Sequence, residues 1–257
     1  MTRIRRKIME TNNPVLSNLP DAEPIASDRL LTQDEIVQKT GITLAVIIGF
    51  AILNAFLAMS GQQSLAMILT IVGAIGGFIA VLVSAFSKNG YSSKTITLTY
   101  AGFEGLFVGG LSLILSGYMV GAADAGVLVG QAVIATVGVF LGMLWLYKSG
   151  RFQVTPKFNK VMLMLLCGTL FAVLINLVTA IFFGINVLRD GGPIAIVFSL
   201  FCIVLAALSF MADFDTADRL VQSGAPKEMA WGVALGLAVT LVWLYTEILR
   251  LLRYFRD

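Results

Sequence analysis

From Ile42 onward the chain alternates between long apolar runs and short polar breaks, and each run is about 19 to 25 residues, enough to cross a bilayer as a helix. The runs fall at about 42–59, 65–86, 95–119, 127–147, 161–184, 194–212 and 230–252. They predict an all-α, polytopic membrane protein, a seven-transmembrane-helix bundle occupying residues 41–257. Residues 1–40 differ in kind. They open on Arg3, Arg5, Arg6 and Lys7 and carry Pro14, Pro20 and Pro24 among mixed acids, which reads as a mobile polar arm. No apolar stretch follows the basic cluster, so the arm is not expected to be a cleaved signal peptide. A helix starting near Thr32, with Asp34 and Glu35 in its first turn, leads into the first span.

Composition agrees with the pattern. Apolar residues make up 58% of the chain and charged ones 13%, with a mean hydropathy of +0.88, which leaves no room for a large soluble domain. There is no histidine, and Cys167 and Cys202 both lie inside apolar runs. Zinc sites and histidine-dependent catalysis are thereby excluded, and no cofactor is implied. The basic residues matter through their placement. The arm carries six Lys or Arg, and the breaks 87–94, 148–160 and 213–229 carry two, four and two; the breaks 60–64, 120–126 and 185–193 carry none, none and one. That asymmetry predicts a cytoplasmic amino terminus in the cell's inner membrane. Arg250, Arg253 and Arg256 then fall outside, against the rule, and a seventh segment that fails to cross completely is the alternative topology. The basic arm reads as an inner-leaflet contact, with no nucleic-acid binding expected.

Glycines recur four residues apart at Gly73 and Gly77, Gly105 and Gly109, Gly138 and Gly142, and Gly232 and Gly236. Such pairs let helix backbones approach closely, either inside the bundle or at a dimer face. Gly102 and Gly110 extend the smooth side of the third span.

Lipid penalises charge, so acids in or beside the spans are the informative positions. Glu104 lies about ten residues, or roughly 15 Å, into the third span, where a carboxylate must be protonated, paired or hydrated. It is either a structural acid or part of an ion or proton path. Glu247 has Arg250 within a helical turn, a spacing suited to pairing near the end of the last span. Asp213 and Asp215 stand at the inner end of the sixth span, with Arg219 as a candidate partner. Their spacing puts them on different helix faces, so only one can point into the bundle if the helix continues. They are either solvated acids at a helix end or a cation-attracting mouth with a latch.

Taken together, "YAGFEGLFVGG", "YKSGRFQVTPKF", "FDTADRL" and the final "WLYTEILRLLRYF", in order along seven spans, resemble the Bax inhibitor family in its bacterial branch. The resemblance implies a seven-helix bundle with the last helix central, surrounded by the others. It also implies a pH-sensitive calcium leak channel in which an acid of the sixth helix shares a proton with an acid of the seventh. Asp215 matches the first acid, and Asp213 matches it in a slightly different register. The second acid is missing: Val239 or Thr240 stands at its position, so Glu104 or Glu247 would have to supply that group. Thr240, Trp243, Glu247 and Arg250 share one stripe of the seventh span, a polar face toward the bundle.

The leading expectation is therefore a cation leak channel for calcium or another cation, with the lipid bilayer as its surroundings. The alternative is a non-conducting membrane regulator of a protease or stress response, with a membrane protein as partner. A secondary transporter would show interrupted spans at a midplane site. An enzyme would need a nucleophile and base or a metal set, and none is found, so the chain is not expected to be one.

Overall fold

The computed structural model describes residues 30–87, 90–117, 125–151 and 153–256. Among them, seven helices are long and apolar enough to cross a membrane. They are α1 Gln33–Met59, α2 Gln63–Phe86, α3 Lys94–Leu115, α4 Ala125–Lys148, α5 Pro156–Phe183, α6 Pro193–Gln222 and α7 Ala230–Arg256. Most of the arm, residues 1–29, lies outside the described part. Its last residues are described: Thr32 caps α1, its hydroxyl accepting the Glu35 amide at 3.2 Å, and α1 runs without a break into the first span. Just before it, the Leu31 amide donates to Ala225 at 2.8 Å, tying the entry of α1 to the α6–α7 connection.

Helix ends follow local chemistry. Ser93 and Thr155 cap α3 and α5, and α5 and α6 begin with Pro156 and Pro193, whose missing amide costs nothing in a first turn. Gly184 ends α5 in the left-handed conformation, at φ 68°, which a residue with a Cβ adopts at a cost. α6 does not stop at the acids. It continues for 30 residues, about 45 Å by helix rise, and carries Asp213, Asp215 and Asp218 on regular turns. The apolar run at 194–212 thus marks the lipid-matched part of a longer helix.

The last helix is the centre of the bundle. In α7 78% of the spanning window is buried, against 6% in α5. α7 packs mainly on α1, α3, α4 and α6, while α5 leans on α6 and otherwise faces outward. A large cluster around Phe210, Phe214, Leu237, Leu244 and Leu249 fills the α4–α6–α7 contact. Phe140, Phe210 and Phe214 meet there at ring distances of 5.2 to 6.0 Å.

α1, α2 and α3 form the tightest side of the bundle, through glycine. Gly105 and Gly109 place α3 against the backbone of α1 at Ile47 and Ala51, and Gly73 sets α2 against the α3 backbone at Phe103 and Phe107. Gly110 lies against the Thr70 side chain. Thr70 is bound in turn by Asn54, whose Nδ2 donates to Thr70 Oγ1 at 3.0 Å and to the Leu106 carbonyl at 2.6 Å. This polar knot of three helices, buried in an apolar layer, fixes their register. Gly138 and Gly142 behave differently: among the described residues nothing lies within 4 Å of the position a Cβ would take, so that pair seats no described helix. Gly232 meets the Tyr91 backbone and ring, whereas Gly236 is open.

Candidate functional site

Two acids of the spans, Asp213 and Glu247, lie along one helix interface, between α6 and α7. Nearer the end where α7 begins, Thr240 Oγ1 donates to Asp213 Oδ2 at 2.7 Å. Among the described residues no Lys or Arg lies within ion-pair distance of Asp213, so its charge meets a hydroxyl and no cation. Asp215, two residues on, points elsewhere. Its Oδ2 lies 2.7 Å from Arg219 Nε in a helical pair whose arginine is 60% exposed. The residue facing the seventh helix is therefore Asp213, not the Asp215 that the "FDT" match selects. The reason is the continuing helix, which turns neighbours two apart onto nearly opposite sides.

Asp218 completes this end. It accepts from Tyr147 on α4 at 2.7 Å and from the Gln33 side chain at the start of α1, linking three helices. Asp215 and Asp218 line a polar pocket of about 570 Å³ with Tyr147, Lys148, Gln153 and the α4–α5 connection. Close by, Lys39 and Lys94 lie over the Trp231 ring at the start of α7, at 5.4 and 5.8 Å.

Toward the other end of the interface stands Glu247, 2% exposed. Arg250 Nη1 lies 2.8 Å from its Oε1, as the spacing predicts. A second arginine arrives from the α5–α6 connection: Arg189 Nη1 donates to both carboxylate oxygens at 3.0 Å. Glu247 is thus held by two guanidiniums. Sequence spacing does not reveal Arg189, although one signal exists: it is the single basic residue in 185–193, a break otherwise free of Lys and Arg.

Glu104 is apart from both groups. It sits on α3 facing α2, with Oε2 2.8 Å from the position of a Cβ on Gly77, and it makes no hydrogen bond or ion pair to another described residue. The glycine makes room for the carboxylate. The four acids therefore do not converge; among the described residues no three His, Cys, Asp or Glu side chains gather as a metal cage. Calcium, which prefers six to eight oxygens, would meet at most the two carboxylates of Asp215 and Asp218 in one place. A separate groove of about 580 Å³ between α1, α3, α4 and α7 is almost wholly apolar and cannot solvate an ion.

A family model described as "Bax inhibitor 1 like" matches residues 10–257, nearly the whole chain. The chain belongs to the Bax inhibitor family. No curated protein and no solved structure matches it. Within the Bax inhibitor frame, the acid and hydroxyl that meet between the sixth and seventh helices are Asp213 and Thr240, a carboxylate opposite a group that does not ionise at physiological pH.

Proposed function

We propose that the protein is a cation leak channel, with calcium as the leading candidate ion. The observation that carries the reading is Asp213, a carboxylate in the α6–α7 interface with a hydroxyl for a partner and, among the described residues, no ion pair. Such an acid attracts cations while holding them weakly, as a conducting site requires. Glu104, without a hydrogen-bond or ion-pair partner among the described residues, is the second place where a cation or proton could rest.

The runner-up, a non-conducting membrane regulator, draws on the paired acids. Glu247, Asp215 and Asp218 are all satisfied within the chain. Calcium flux into proteoliposomes of purified protein, measured at several pH values, separates the two. Flux is expected. Its absence at every pH, with the protein folded, would overturn the channel reading in favour of the regulator.

We further propose that the amino terminus is cytoplasmic, on the basis of the Lys and Arg distribution. A membrane-impermeant thiol reagent added outside cells should miss Ser149→Cys and Ser223→Cys and label Gln62→Cys. The reverse pattern would invert the orientation.

A further inference from the structure

On α6, Ser199, Cys202, Ala206, Ser209 and Asp213 follow one another at spacings of three, four, three and four, so they share one face. Ser199, Cys202 and Ala206 are 0 to 1% exposed and Ser209 8%, so this small and polar seam is enclosed by the bundle. Thr240 and Glu247 on α7 are seven residues apart, about 10 Å. Thr240 meets the seam at Asp213, and Glu247 meets it beside Ser199 and Cys202. The Ser199 hydroxyl is fully buried next to that carboxylate. It sets a hydroxyl oxygen beside a carboxylate, inside a helix interface.

Arg189 stands at the end of this seam. Its guanidinium caps both oxygens of Glu247 and lies 5.5 Å from the Phe198 ring. The connection that carries it is fastened to α5, where Asn176 accepts the Leu188 amide at 3.0 Å and donates to Asn186 at 2.6 Å. Arg250, Tyr254, Asp190 and Arg253 surround the same point. With Arg189 in place, two guanidiniums face one carboxylate at this end, and an approaching cation is repelled.

We propose that Arg189, reaching from the α5–α6 connection onto Glu247, is the closure of the α6–α7 seam, and that it must leave Glu247 before water or a cation can enter there. The purpose of the closure rests on the channel reading; its geometry does not. Once Arg189 withdraws, Glu247 and the Ser199 hydroxyl offer oxygens to a cation, and the route continues along Cys202 and Ser209 toward Asp213.

Cys202 is a native reporter beneath the closure. In a Cys167→Ser background it is the sole thiol, and a charged, water-soluble thiosulfonate can be applied in detergent micelles, where orientation plays no part. Wild-type Cys202 should resist labelling, and Arg189→Gln should raise its rate about tenfold or more, since losing one partner of a buried charge pair is costly. Arg189→Lys, which keeps the charge but loses the planar contact with both oxygens, should give an intermediate rate. It carries the test should Arg189→Gln fail to fold. Equal labelling of wild type and variants would overturn the closure. In proteoliposomes Arg189→Gln should also raise calcium flux. Faster labelling with no flux in any variant would leave the closure standing and remove the channel, so the two readings fail separately.

Discussion

Replacing Glu247 by alanine should destabilise the protein by about 3–5 kcal/mol, the cost of leaving buried charge without its counterion. Arg189 and Arg250 are largely withdrawn from solvent, with side chains 22% and 16% exposed, and both converge on this carboxylate. Without it, two guanidiniums face each other in a poorly solvated layer, and the α5–α6 connection loses its attachment to α7. Arg219→Ala should by contrast cost less than about 1 kcal/mol, because the arginine is mostly exposed and Asp215 lines a polar pocket. Thermal unfolding in one detergent, with the two variants side by side, measures the difference. Similar losses for both would show that the Glu247 cluster does not hold the bundle together.

The number of helices was legible because lipid imposes a length and an apolar composition on any spanning segment, although α1 and α6 run well past their apolar stretches. Their arrangement was less so. In water the most apolar helix is the most buried, whereas here the outward α5 is among the most apolar and the central α7 is less so. Hydropathy therefore carries no signal for which helix is inside, and the central position of α7 came from the family resemblance. Local spacing performed well where partners share a helix: Glu247 with Arg250 and Asp215 with Arg219 are both in contact. It could not find partners across helices. Arg189 with Glu247, Asn54 with Thr70, and Tyr147 with Asp218 join residues 58, 16 and 71 apart in sequence, and only the folded bundle brings them together. Glycine spacing has the same limit, since Gly105 and Gly109 seat a neighbouring backbone while Gly138 and Gly142 seat nothing.

The acid match shows why register matters for function. "FDT" points to Asp215, yet the helix carries Asp213 to the seventh helix and leaves Asp215 to Arg219. Asp213→Asn should accordingly lower calcium flux about tenfold, the scale on which a fixed charge concentrates counterions in a narrow site, whereas Asp215→Asn should change it far less. The more demanding variant is Thr240→Asp. Thr240 Oγ1 is 2.7 Å from the Asp213 carboxylate, so an aspartate there would set two carboxylates at hydrogen-bonding distance, where both cannot ionise cheaply and one proton is shared. Flux through Thr240→Asp should therefore acquire a pH dependence that wild type lacks at this position, and Asp213→Asn in the same chain should abolish it by removing half of the pair. Flux measured across pH in the wild type, both single variants and the double variant gives the answer. A steep pH response in wild type that survives Asp213→Asn would move the proton-sensitive group to Glu104, a span acid without an ion pair among the described residues.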